Sequence, residues 1–501
     1  MRTKLSKFLI VVFVVMSILL PSAIPVSAAQ AENGFDLEYI RSIMDIIKEV
    51  YKDGATDDQL IEGMLRGMFG SMDAYTVFYS PEEAEEFFSD VGGEFGGIGV
   101  SMLKVDNYIQ VVKVFPNTPA EKAGIISGDK IVSVNGLSIE GLDAEQVAKI
   151  IRGEPGTAVV LGIVKAMETN PSNVINVTLI REIVKVNPVS YEIKQGDIGY
   201  IKIESFNSNT YEYFAQALEE IDKNDIKKII LDLRDNPGGY VDQAVMVARH
   251  FVPEGLITKL DFKSEGSIDI EYYSDLKELK YKVVVLVNQN TASASEILAA
   301  AIQDTKAGIL VGTQTYGKSK IQSLIPILTP YAYSRYKAIL GVNIVNAYDL
   351  LYSYGIIPSD DEIIGWTKIT TGEYLTPLGR SIGDVGLIPY MWSSNPEIIN
   401  DVDITSIQKL QKVTKPGLNS TGIDVYNAEK ILRIAGYDVD YPDMLLDEKT
   451  FEAIKKFQND KGLFPYGVLD FTTQQALNDL YEELLLKYDT QYAWAVKLIN
   501  K

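Results

Sequence analysis

The chain has 501 residues, a formal net charge of −21, one histidine and no cysteine, and 46% of its residues are apolar. Such acidity argues against nucleic acid, whose phosphates need a cationic surface, and against adsorption to anionic lipid. The missing cysteine excludes disulfides, thiolate metal sites and a cysteine nucleophile, while the length suits about three domains with ordinary folded cores.

The amino terminus reads as an address. Arg2, Lys4 and Lys7 form a basic stretch, residues 8–20 are almost wholly apolar, and Val26-Ser27-Ala28 supplies small residues for cleavage. The run is short for a membrane span, which needs about 20 residues, so 1–28 is predicted to be a signal peptide, or a membrane anchor if it stays uncleaved. Export without cysteine places the protein at the cell surface or wall of a Gram-positive-type bacterium.

Residues 34–90 show helical periodicity at Leu37, Ile40, Ile43, Ile46, Ile47 and Val50, and again at Leu60, Met64, Leu65 and Met68. Asp57 is predicted to cap the second helix, and Ser80-Pro81-Glu82-Glu83 opens a third. Such short helices need a partner for their apolar faces, either the rest of the chain or a second subunit. Residues 91–186 change to strand patterns at 99–103, 108–114, 130–134, 158–164 and 175–181, with a helix at 144–151. From 198 to 392 strands and helices alternate, which predicts an α/β core. Residues 393–424 are polar, with Pro416-Gly417 and Asn419-Ser420-Thr421-Gly422, and suggest a linker. Three short helices follow in 425–485.

Within the α/β region, the apolar strand 283–287 leads into Asn288-Gln289-Asn290-Thr291-Ala292-Ser293-Ala294-Ser295-Glu296-Ile297 and a helix-forming stretch. Ser293 thus sits at a strand–turn–helix corner, where a nucleophile's hydroxyl is exposed and the first helix amides are unpaired. The same letters also spell a capping box, Ser293-x-x-Glu296, in which the serine only satisfies helix amides. Without cysteine, the single His250 is the one histidine that could activate Ser293, and it ends an amphipathic helical stretch with nothing local to position it there, so a lysine is the leading candidate for the base. Lys318 follows Tyr316-Gly317 in a turn. To act as a base it must be neutral, and lowering a lysine from about 10.4 to about 7 costs on the order of 4–5 kcal/mol, usually met by burial. A solvated surface lysine is the alternative reading. Gln322 can hold the amine without adding charge. A second corner follows the strand at 229–233, where Arg234-Asp235-Asn236-Pro237-Gly238-Gly239 allows a tight turn whose amides are candidate oxyanion donors.

Taken together, residues 34–392 resemble the carboxy-terminal processing peptidases, or tail-specific proteases. The resemblance rests on Leu231-Asp232-Leu233-Arg234-Asp235-Asn236-Pro237-Gly238-Gly239, Thr291-Ala292-Ser293-Ala294-Ser295-Glu296-Ile297, Gly317-Lys318 with Gln322, and Thr376-Pro377-Leu378-Gly379-Arg380-Ser381-Ile382. It implies that Ser293 is the nucleophile, Lys318 the general base and Gln322 its orienting partner, with the amides of Gly239 and Ala294 as oxyanion hole. It further implies a crotonase-like α/β core (the ClpP/crotonase type), a homodimer through the N-terminal helices, and no metal or cofactor.

Residues 91–186 resemble a PDZ domain. Gly96-Gly97-Ile98-Gly99-Val100 matches the loop that binds a peptide carboxylate, and Pro119-Ala120-Glu121-Lys122-Ala123-Gly124-Ile125 and Gly128-Asp129-Lys130-Ile131-Val132-Ser133-Val134-Asn135-Gly136 match the later signature. Consecutive amides facing one anion, beside a strand edge open to β-augmentation, would select substrates by their free C-terminus. Residues 425–480 are similar to small helical peptidoglycan-binding domains through Ala428, Leu432, Gly436-Tyr437, Thr450, Ala453, Phe457-Gln458, Gly462-Leu463, Gly467, Thr472 and Leu477. Two departures stand out: Ser319 follows the lysine where the family has glycine, and an insert from Leu328 to Gly365 carries Tyr331, Tyr333, Tyr336, Tyr348, Tyr352 and Tyr354. The reading is an exported serine endopeptidase with peptide and peptidoglycan as partners. A non-catalytic scaffold and a wall hydrolase are the alternatives.

Overall fold

The computed structural model describes residues 37–501 apart from 106–107, 167, 169, 171 and 263–268. The expected signal segment, 1–28, lies outside the described residues. None of the described helices is long and apolar enough to cross a membrane. The described residues divide into two compact units, one of 37–89 with the described parts of 258–272 and 319–383, the other of the described parts of 90–257, 273–318 and 384–501.

In the first unit the helices Leu37–Val50, Asp57–Gly70 and Pro81–Gly92 appear where the periodicity put them. The cap of the second is Thr56, not Asp57: Gln59 N–H donates to Thr56 Oγ1 at 3.2 Å and Thr56 N–H to Gln59 Oε1 at 3.0 Å. Asp57 falls instead in the first turn, where its charge faces the positive end of the helix. Tyr39, Ile43, Ile46 and Val50 stay exposed on the single chain. The sheet of this unit is organised around Ile363–Leu375, which pairs antiparallel with Val77–Tyr79, Gly255–Phe262 and Lys320–Leu328.

The tyrosine-rich insert is a folded pair of helices. Thr329 caps Pro330–Leu340, Asn346 caps Ala347–Tyr354, and both helices end on left-handed glycines, Gly341 and Gly355. Ala332, Tyr336, Val345 and Leu350 form its small core. Buried Glu362 accepts from Tyr336 Oη at 2.8 Å and pairs with Arg335 at 2.7 Å. Tyr331, Ile339, Ile344, Tyr348 and Tyr354 face outward.

The second unit opens with a sheet ordered Val100–Val105, Tyr108–Val114, Lys130–Val134, Ala158–Val164, Ile175–Ile180. Helix Ala144–Ile151, with a complete Asp143–Gln146 capping box, buries Val147 and Ile151 in the same core as Ile109, Val111, Ile131 and Leu161. Val100–Val105 is left as the edge strand. Close packing dictates two of the glycines before it. A Cβ on Gly96 would lie 2.0 Å from Gly153 O, and one on Gly99, at φ +80, would lie 2.3 Å from Thr118.

A six-stranded sheet follows, in the order Val189–Lys194, Ile198–Ile203, Lys228–Asp232, Lys282–Val287, Gly308–Gly312, Met391–Trp392. Only the first strand is antiparallel. The central strands read as continuous apolar runs because they are covered on both faces. Part of that cover was not foreseen. A fourth C-terminal helix, Thr490–Ile499, places Tyr492, Ala495, Leu498 and Ile499 in one core with Ile230, Val284 and Leu286. At roughly 1.5–3 kcal/mol per large buried side chain, this helix contributes substantially to the stability of the sheet.

The stretch 393–424, polar enough to suggest a linker, is strapped down. Val402, Ile404, Ile407 and Leu410 are buried. The amides of Gln408, Leu410, Gln411 and Lys412 donate to Asn427, Asn478, Asp424 and Gln474 of the helices that follow. Those helices are Ile423–Ile434, Glu448–Asp460 and Phe471–Tyr488.

Glu429 is buried inside this bundle, and burial first, then the charge of Asp443, push its carboxyl up to about 8 against hydrogen bonds from Thr450 and the Asp443 and Met444 amides. A raised folded-state value means that the unfolded chain loses its proton first. The associated stability is complete below the unfolded value of 4.5 and is lost as pH rises toward about 8. Urea unfolding of the full chain should therefore weaken across that window by on the order of a few kcal/mol, and Glu429→Gln should flatten the profile. A wild-type profile already flat between those limits would contradict this.

Candidate active site

Three loops leave the carboxyl ends of adjacent parallel strands, Lys228–Asp232, Lys282–Val287 and Gly308–Gly312, and converge. This is the end at which open α/β sheets place their ligands. The middle loop ends at Ser293, which opens helix Ala294–Asp304 with φ 57 and ψ −120. A serine in that region stores of order 1–3 kcal/mol of strain and persists only where its surroundings over-determine it. They do so here. Ala292 N–H donates to Asn236 O at 3.0 Å, Ser293 N–H to Glu296 Oε2 at 3.0 Å, and Glu296 N–H to Ser293 O at 2.8 Å. Residues 294–302 behind it are buried, whereas Ser293 is partly exposed.

The first loop lies directly against this elbow. A Cβ on Gly238 would sit 2.8 Å from Ser293 Cβ and 2.9 Å from Ala294 N. Asn236, fully buried, shapes the turn: its Nδ2 donates to Ile203 O at 2.9 Å and its Oδ1 accepts Gly238 N–H at 2.9 Å. Gly239 is bracketed by Phe206, whose amide donates to Gly238 O and whose carbonyl accepts Tyr240 N–H. Asp235 Oδ1 accepts from the side chains of Asn288 and Asn290, both at 2.8 Å, so the first and second loops are cross-braced. Thr291 Oγ1 adds a bond to Leu233 O at 2.8 Å.

The third loop carries Lys318, partly buried, between Gly308–Gly312 and Lys320–Leu328. Tyr316 N–H donates to Thr291 O at 3.0 Å, and Lys318 N–H donates to Glu296 Oε2 at 2.9 Å. Ser293, Ala294, Gly239 and Lys318 thus belong to one unit of the fold. Gln322 lies on a strand of the first unit, where its side-chain amide donates to Thr370 Oγ1 at 3.4 Å. Ser319 Oγ is buried with no hydrogen-bond partner among the described residues. His250, half-buried, follows helix Val241–Ala248 with Nε2 3.3 Å from Tyr211 Oη and its ring beside Phe214. Burial lowers its pKa.

Two features escaped the sequence. One is the number of donors converging on Glu296, since a capping box explains only one of them. The other is the set of partners of Arg234. Its guanidinium holds Asp232 through Nη2 at 2.6 Å and Asp489 through Nη1 at 2.8 Å, and Nη1 also donates to Gln491 Oε1 at 3.2 Å. Tyr200 Oη completes the group by donating to Asp232 at 2.5 Å. The loop beginning at Arg234 is therefore pinned to the N-cap of the last helix, a pairing across 255 residues that no local pattern announces.

Three regions of the chain match known protein families. The model of peptidase family S41 matches residues 197–391, that of the PDZ domain 110–165, and that of a putative peptidoglycan binding domain 421–477. Carboxy-terminal processing protease CtpA of Bacillus subtilis is 30% identical over 481 residues, covering 95% of this chain and 92% of that one. CtpB of the same organism is 27% identical over 468 residues, covering 92% and 88%. Among solved structures, the photosystem II D1 C-terminal processing protease is 26% identical with a TM-score of 0.37, covering 71% of this chain and 86% of that one.

Proposed function

Since the chain belongs to the carboxy-terminal processing proteases, serine-type peptidases of family S41 that here carry a PDZ domain, we propose that Ser293 is its nucleophile and Lys318 its general base. The observation that supports this most is the strained elbow at Ser293, packed against Gly238 on one side and braced through Glu296 to the Lys318 segment on the other. Neutral Lys318 Nζ takes the proton of Ser293 Oγ as the oxygen attacks a peptide carbonyl. The amides of Gly239 and Ala294 hold the oxyanion. Lys318 then protonates the departing amine, and water hydrolyses the acyl-enzyme with the lysine again as base.

The PDZ domain delivers the substrate. A peptide extends along the free edge of Val100–Val105 beside helix Ala144–Ile151, and its terminal carboxylate meets the amides of Gly96, Gly97, Ile98 and Gly99. Export under the signal segment 1–28 and retention at peptidoglycan by the C-terminal helices would make this a cell-envelope protease. Hydrogen bonds to a charged group are worth about 1.5–3 kcal/mol, so amidating a substrate's C-terminus should raise KM at least roughly tenfold with little change in kcat. Product analysis by mass spectrometry on paired free and amidated peptides tests this. Equal KM for both would remove the PDZ selection from the account.

A further inference from the structure

We propose that Glu296 is the positioning residue that holds the nucleophile and the base in register, a role that rests on the dyad reading above. Its carboxylate is fully buried and receives four hydrogen bonds. Oε2 accepts Ser293 N–H at 3.0 Å and Lys318 N–H at 2.9 Å, and Oε1 accepts Gly317 N–H at 2.8 Å and Thr315 Oγ1–H at 2.5 Å. A carboxylate offers about four lone-pair directions, and here each oxygen takes two donors.

Helix capping does not explain this. A capping box needs only the bond from Ser293 N–H. The other three donors come from the segment 315–318, which has no regular secondary structure of its own to fix it. Thr315 is itself locked. Leu387 N–H donates to its Oγ1 at 2.7 Å, which leaves the hydroxyl proton for Glu296. One Glu296 oxygen is therefore shared by the backbone of Ser293 and the backbone of Lys318. Charge-assisted bonds of this kind are roughly twice as strong as neutral ones, so the bridge is stiff. The elbow strain at Ser293 and the path of the Lys318 loop are set by the same atom.

The sign of the effect follows. Glutamine at 296 keeps one acceptor oxygen and turns an –NH2 toward the other pair of donors, so in either orientation bonds that hold the 315–318 segment are lost. Aspartate keeps the charge but withdraws it by one methylene. Both should misplace Lys318 relative to Ser293 without touching the PDZ groove. A misplacement near 1 Å costs on the order of a hundredfold in rate.

The test uses the full chain without its signal segment. Wild type, Glu296→Gln, Glu296→Asp and Ser293→Ala are compared for kcat, KM, thermal midpoint and binding of a C-terminal peptide. The expected result is a kcat about a hundredfold lower for Glu296→Gln and an intermediate loss for Glu296→Asp. KM should stay within about threefold and peptide binding should be unchanged. Wild-type kcat in both Glu296 variants, beside an inactive Ser293→Ala, would overturn this role alone. So would a loss that vanishes once rates are normalised to the folded fraction. Persistent cleavage by Ser293→Ala would instead overturn the dyad itself, and the Glu296 role with it.

Discussion

Replacing Ser293 by alanine is expected to lower kcat by more than about 10⁴-fold while the protein folds normally. The elbow keeps its main-chain supports, the bonds from Ser293 N–H to Glu296 Oε2 and from Glu296 N–H to Ser293 O. Only the attacking oxygen is lost. Lys318→Ala should fall to a similar level, since the alkoxide then has no base, and the double variant should be no worse than either single one. Lys318→Arg should not rescue, because a guanidinium does not give up its proton in this range. Peptide cleavage followed by mass spectrometry gives the rates. Residual activity in Ser293→Ala above about one hundredth of wild type would place the nucleophile elsewhere.

The second large effect concerns stability. Asp489→Ala should destabilise the second unit by about 3–5 kcal/mol, because it leaves the buried Arg234 guanidinium with one carboxylate fewer. Burial alone would lower the basicity of Arg234. Asp232 and Asp489 more than reverse that and hold it well above its usual range. Burial likewise opposes ionisation of Asp232, yet Arg234 keeps its carboxyl below the usual 3.8. A depressed carboxyl contributes stability that is present above its unfolded pKa and lost as pH falls through the folded value. The group therefore supports the fold at neutral pH and weakens it in strong acid. Urea midpoints at neutral pH measure the loss. Combining Arg234→Met with Asp489→Leu and Asp232→Asn should restore much of it, since no buried charge of the group then remains. An unchanged midpoint for Asp489→Ala would contradict the account. Because Arg234 opens the loop that ends at Gly239, cleavage by Asp489→Ala should also fall.

What the sequence announced was local. The strand–turn–helix corner at Ser293, the glycine turn at Gly238-Gly239 and the edge strand of the PDZ region each follow from residues a few positions apart, so periodicity and turn chemistry find them. What it hid was long-range or ambiguous. Glu296 looked like a helix cap because the first partner of a capping residue is local, while its other donors arrive from 315–318. The stretch 393–424 looked like a linker because its polar residues are numerous, yet its amides are consumed by Asn427, Asn478, Asp424 and Gln474. The helix Thr490–Ile499 carries Tyr492, Ala495, Leu498 and Ile499 to the face of a sheet begun three hundred residues earlier, about which spacing within the helix is silent. The tyrosines of the insert divide the same way. Tyr336 is core and bonds Glu362, whereas Tyr331, Tyr348 and Tyr354 are exposed.

The most direct test of the central claim is to catch the acyl-enzyme. Substrate is mixed with enzyme, quenched in acid within one turnover, and the digested protein is mapped by mass spectrometry. The account predicts the N-terminal part of the substrate attached to the peptide that contains Ser293, and no adduct in Ser293→Ala. An adduct on any other residue, or continued turnover by Ser293→Ala with no adduct at all, would contradict it.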